Sequence, residues 1–105
     1  MSRKAADFDE TLFKLLQDPE EAAAYLNEHL EYRGKDRDSL FLKGLRKVAM
    51  AQGMNRISAR TKLTRRSLEK ALSTNGNPRF STLSSVLEAL GLHVSIEVRP
   101  YKKAS

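Results

Sequence analysis

Apolar residues recur at helical spacing along most of the chain. Phe8, Leu12, Leu15 and Leu16 fall on one face and predict a short amphipathic helix near residues 9–17. Asp18-Pro19-Glu20-Glu21 then reads as a helix start. Asp18 can accept orphan amide protons, Pro19 suits the first helical position, and Glu21 sits at the capping-box position. Ala22 to Leu30 continues as helix, with Leu26 and Leu30 on one face, and both are expected to pack inward. Tyr32 to Arg37 is a charged linker containing Gly34. A longer helix should follow from Asp38, with Asp36 or Asp38 as its cap. Phe41, Leu45 and Val48 form its stripe, widened by Leu42 and Ala49, and Gly53 should end it.

The pattern then shortens. Arg56 to Thr61 spans only about two turns and has Ile57 as its main anchor. Thr64 reads as the N-cap of another short helix, with Leu68, Ala71 and Leu72 inward. Residues 73–78, Ser-Thr-Asn-Gly-Asn-Pro, form a break rich in turn formers. Ser81 is expected to cap the next helix, carried by Leu83, Val86, Leu87 and Leu90 and ended by Gly91. The strict alternation from His93 to Val98 predicts a strand, with Val94, Ile96 and Val98 on one face. The expected fold is therefore mainly α, with a short C-terminal β-strand. Its units are an acidic helical arm (1–36), a central helical unit (37–92) and a strand with tail (93–105).

A short helix, a tight turn and a second helix opening on Thr64 make a helix-turn-helix pattern. In that motif the second helix enters the major groove of DNA. Charge supports this placement. Residues 1–32 hold three basic and eight acidic residues, residues 33–79 thirteen basic and three acidic, and the whole chain is +6. A basic centre suits a polyanion. Thr64, Arg65, Arg66, Ser67, Glu69 and Lys70 are the candidate readers. Arg suits guanine edges, and Ser or Thr can bond several base edges. Two cations at a helix start oppose the macrodipole and so call for an anionic partner. Arg65 and Arg66 point about 100° apart, so one would read bases and the other a phosphate, in either assignment. Asn75, Asn77 and Arg79, with Ser81 and Thr82 at the next helix start, are candidate phosphate contacts.

Other functional classes find little support. His29 and His93 are isolated and read as surface or packing residues. No phosphate loop or metal-spaced His/Cys set is present, and no Ser or Thr has a neighbouring base, so neither an enzyme nor a cofactor is expected. There is no Cys and no apolar run long enough for a membrane span, and the basic pair Arg3-Lys4 lacks the apolar stretch of a secretory signal. A cytoplasmic location is expected. The few aromatics lie mostly outside the basic region, which argues against binding single-stranded RNA by stacking.

Three runs carry a resemblance: LFLKGLRKVAMAQGM (40–54), ISARTKLTRRSLEKALS (57–73) and NGNPRFSTLSSVLEALGL (75–92). Together with Tyr25-Leu26-Asn27 and the closing segment, the chain resembles the addiction-module antidote proteins over about residues 25–98. These are HigA-like antitoxins with an Xre-type, lambda-repressor-like helix-turn-helix. The chain departs from their pattern at Ser58, where Ala is usual, and at Lys62, where Gly is usual. The Lys62 departure puts the turn geometry in question. The resemblance implies a RelE/ParE-like toxin partner, operator DNA as a second ligand, and a homodimer. The acidic arm has the right sign for a basic toxin. The alternative is a protein-interaction module or a plain regulator without a toxin partner.

Overall fold

The computed structural model describes residues 10–100, and over that range the chain is mainly helical. Helix α1 covers residues 10–15 and is followed by α2 (Pro19–Glu31), α3 (Arg37–Gln52), α4 (Met54–Thr61), α5 (Arg65–Ala71) and α6 (Phe80–Ala89). Phe8 and the rest of residues 1–9 lie outside the described range, as do 101–105.

Local chemistry explains most boundaries. The Asp18 carboxylate accepts the Glu20 amide at 3.0 Å, and Pro19 opens α2 where its missing N–H costs nothing. Helix α3 starts at Arg37, one residue before the expected Asp38. Asp36 stands at its N-cap but makes no side-chain cap bond. Its carboxylate lies instead beside the Tyr32 hydroxyl, and that negative neighbour pushes the Tyr32 phenol above its ordinary pKa. Gly53 (φ 105°) ends α3 and leads directly into α4. Helix α4 therefore starts at Met54, two residues ahead of the expected Arg56, and Met54 is buried.

Helix α2 packs on α3, while α4 touches α3, α5 and α6. One core joins them all. Leu45 and Val48 of α3, Ile57 of α4, Leu68 of α5, Leu72 just after it, and Val86 of α6 are fully buried together with Leu16 and Ala22 of the N-terminal region. The arm thus contributes to the same core through Leu16 and Leu26, although Leu15 and Leu30 remain about half exposed. Helices α2 and α3 approach closely at Gly44, where a Cβ would sit 3.1 Å from the His29 Nε2. His29 is held over that spot by its Nδ1, 2.8 Å from the Tyr25 carbonyl, and by an edge-on contact with the Tyr25 ring. Of the two expected roles, surface or packing, His29 takes the packing one.

The C-terminal strand is not formed. Among the described residues there is no strand, and residues 93–100 make no hydrogen bond. Alternation specifies which side chains share a face, but a strand also needs a neighbouring edge, and the described residues offer none. Among the described residues no helix is long and apolar enough to cross a membrane.

Gly44→Val should drive a branched side chain into the His29 ring and separate α2 from α3. We expect a loss of about 1–3 kcal/mol of unfolding free energy by urea titration, the usual range for overpacking.

Candidate nucleic-acid interface

Three residues, Lys62, Leu63 and Thr64, join α4 to α5. Side chains from α4 hold this turn. The Ser58 hydroxyl donates to the Leu63 carbonyl. The Leu63 amide donates to Thr61 Oγ1 at 3.3 Å, and the Lys62 amide donates to the Ser58 carbonyl at 2.9 Å. Lys62 adopts φ 66° and ψ 16°, the left-handed conformation. It is the one described non-glycine residue with positive φ. Ser58 and Lys62 therefore meet in one turn. The turn keeps the geometry for which Gly is suited, and the Ser58 hydroxyl adds a bond that an Ala lacks.

Thr64 is the N-cap of α5, and its side chain accepts the Ser67 amide at 3.0 Å. Arg65, Arg66, Ser67 and Lys70 are exposed, Glu69 is half-buried, and Leu68 points into the core. The two arginines differ. Arg65 is engaged within the chain: Nε lies 3.0 Å from Glu69 Oε2, and a terminal nitrogen donates to Asn55 Oδ1 at 2.9 Å. The anion opposite this cation is thus Glu69, one turn on in the same helix, rather than something external. The pair is half exposed and contributes on the order of 0.3–0.5 kcal/mol at most. The bond to Asn55 has the larger, geometric effect, because Asn55 belongs to α4 and Arg65 to α5. Arg66 has no partner among the described residues.

The loop after α5 folds tightly against it. A Cβ on Gly76 would lie 2.5 Å from the Ala71 carbonyl oxygen, so only glycine lets the loop come this close. Asn75, Asn77 and Arg79 are all exposed. Ser81 does not cap α6. Arg79 occupies the N-cap with extended backbone (φ −71°, ψ 160°), and no side chain caps that end. The helix begins immediately after it, at Phe80, which places Ser81 and Thr82 inside the first turn. The first amides of α6 are therefore left without an intrachain side-chain acceptor, an arrangement suited to anions.

The remaining central cations are not equivalent. Arg60 turns toward α6 and donates to the Ala89 carbonyl at 3.3 Å, capping the end of that helix. Arg46 and Lys47 are half-buried, whereas Lys43, Arg56 and Lys62 are exposed. Sequence reasoning missed Asn55 and the structural role of Ser58. Asn55 lies ten positions before Arg65 and has no local pattern to mark it. Ser58 was visible as a departure from the family. No group of three or more His, Cys, Asp or Glu residues able to hold a metal ion occurs among the described residues.

With this geometry in view, the comparisons place the chain. Residues 4–98 match the family described as "Probable addiction module antidote protein", and the chain belongs to that family. A relative described as "Uncharacterized protein" from Haemophilus influenzae is 36% identical over 97 residues, covering 92% of this chain and 95% of its own length. No solved structure matches.

Lys62→Gly should stabilise the fold by about 0.5–1 kcal/mol in thermal or urea unfolding. Relief of the left-handed penalty exceeds the added chain entropy of glycine. Ser58→Ala should cost about 0.5–1.5 kcal/mol by removing the bond to the Leu63 carbonyl. A neutral result for both would mean that the turn is not held as described.

Proposed function

We propose that this chain is the antitoxin of a toxin–antitoxin module. It neutralises a RelE/ParE-like toxin by direct binding, and as a dimer it represses its own operon by reading operator DNA. The antidote family supports the antitoxin role in general. The observation that carries the DNA reading is the pair formed by α4 and α5. Two short helices are fixed by a bonded three-residue turn, and the second carries Arg66, exposed and without a partner among the described residues. This supports reading the pair as a helix-turn-helix of the Xre, lambda-repressor-like type.

In this reading α5 is the recognition helix. Arg66 makes the direct contact, with bidentate bonds to a guanine edge as its natural chemistry. Arg65 acts through position: its bond to Asn55 ties α5 to α4, and its pair with Glu69 holds the guanidinium in place within α5. Thr64, Ser67 and Lys70 flank Arg66. Asn75, Asn77, Arg79, Ser81 and Thr82 supply phosphate contacts, aided by the uncapped amides of α6. Residues 37–92 thus form the DNA-binding unit. The acidic arm, residues 1–36, is assigned to the toxin, with exposed Phe13 and Leu15 as apolar contacts beside its carboxylates. The protein acts in the cytoplasm, where its DNA and a basic toxin would meet it.

The test is anisotropy titration of a duplex from the region upstream of the gene, at stepped salt. Affinity should fall steeply with salt. Arg66→Ala should cost about 1–3 kcal/mol of binding with unchanged thermal stability. Arg65→Ala should also weaken binding, and Arg65→Lys should not rescue it, because lysine lacks the fork that bridges two acceptors. Equal affinity for wild type and both alanine variants would sink the reading of α5. Absence of binding to any upstream fragment would favour a module that binds protein only.

A further inference from the structure

Residues 92–99 alternate without a break. Leu92, Val94, Ile96 and Val98 are apolar, and His93, Ser95, Glu97 and Arg99 are polar. Beyond Leu92, whose amide still bonds to the Leu87 carbonyl, the segment makes no hydrogen bond among the described residues. Ile96 and Val98 are 94% and 93% exposed. A segment of this kind presents two unpaired backbone edges and an apolar stripe, which soluble proteins normally cover. Val94, about half exposed, lines a groove with Leu30 of α2, Leu83 of α6 and Phe80, itself 66% exposed.

We infer that this segment is the dimer interface: it pairs antiparallel with the same segment of a second copy, with Ser95 of each chain on the two-fold axis. The inference rests on the dimeric operator reading and assigns its interface. Side chains directly opposite in an antiparallel pair share a face. Registers that place the axis between two residues set apolar positions against polar ones, so they fail. Centring on Glu97 puts the two Glu97 carboxylates opposite each other. Centring on Ile96 puts His93 against Arg99 of the second copy. Centring on Ser95 sets Val94 against Ile96, Leu92 against Val98, and Glu97 against His93, each pair occurring twice. That register alone matches every apolar residue with an apolar one and gives Glu97 a compatible partner. It is also self-complementary, as a two-fold contact requires.

A two-stranded ribbon is marginal by itself. Its apolar face must therefore rest on helices, and the groove lined by Leu30, Phe80 and Leu83 is continuous with it through Val94. Strand formation and dimerisation are then one event. The alternation predicts a strand, and a single chain does not form one.

Sedimentation equilibrium on the full chain tests this without DNA or toxin. The wild type should be a dimer. Ile96→Asp should weaken it on the order of 100-fold, and because Ile96 is exposed, the helical circular dichroism should not change. Glu97→Lys should weaken it about tenfold, and the double variant His93→Glu/Glu97→Lys should restore it. A dimer indifferent to Ile96→Asp and Glu97→Lys would overturn this interface while leaving dimeric operator binding intact. A wild-type monomer would overturn both the interface and the dimer. A dimer sensitive to Ile96→Asp but not restored by the double variant would overturn the register.

Discussion

Helix α4 has eight residues, too few to stand alone in water. Yet α3, α5 and α6 all pack on it. What holds it is burial: Ile57 is fully enclosed and Met54 nearly so, on a helix whose other faces are polar. The rest of the molecule depends on this arrangement. Gly53 lets α3 pass into α4 without a linker, the Ser58 and Thr61 hydroxyls hold the next turn, and Arg60 ties the helix to the end of α6. The orientation of α5 is thus inherited from an element with little intrinsic stability of its own. Removing the Ile57 side chain would disturb the core and the presentation of Arg66 together.

Among the described residues the basic centre holds two ion pairs, Arg37–Asp38 and Arg65–Glu69, and the second is informative. Arg65 spends its fork on Asn55 and Glu69, whereas Arg66 and Lys70 show no such bond among the described residues. A surface meant only for solubility tends to intersperse opposite charges. Here the neutralising acids lie mainly in the first 32 residues, away in sequence from the cations. This separation leaves the centre able to attract one kind of partner and the arm another.

The helices were legible because their signals are local. Asp18 and Thr64 cap where expected, since each cap bond spans only two or three residues. Gly53 ends α3 for the same reason. The errors came from competition between groups that the sequence does not rank. Ser81 looked like a cap, but the helix starts one residue before it, behind Arg79. Asp36 stands at the α3 cap but serves Tyr32. Arg65 and Arg66 looked alike until Asn55 was brought beside one of them. The alternation of segment 93–98 fixes its faces and not its neighbour, so the strand it predicts is not formed in the single chain.

The order of packing also bears on how the chain assembles. The contacts of α2 with α3, α3 with α4, and α4 with α5 join neighbours in sequence, and that of α4 with α6 skips one element. Helix pairs of this kind form quickly, because little chain must be looped before each contact is made. During synthesis, which adds roughly 5–20 residues per second, the early helices can dock as they appear. The core remains open on one side until Val86 and Leu90 arrive to cover Ile57 and its neighbours. Helix α6 therefore acts as the latch on the core, and the Arg60–Ala89 bond ties its end to α4.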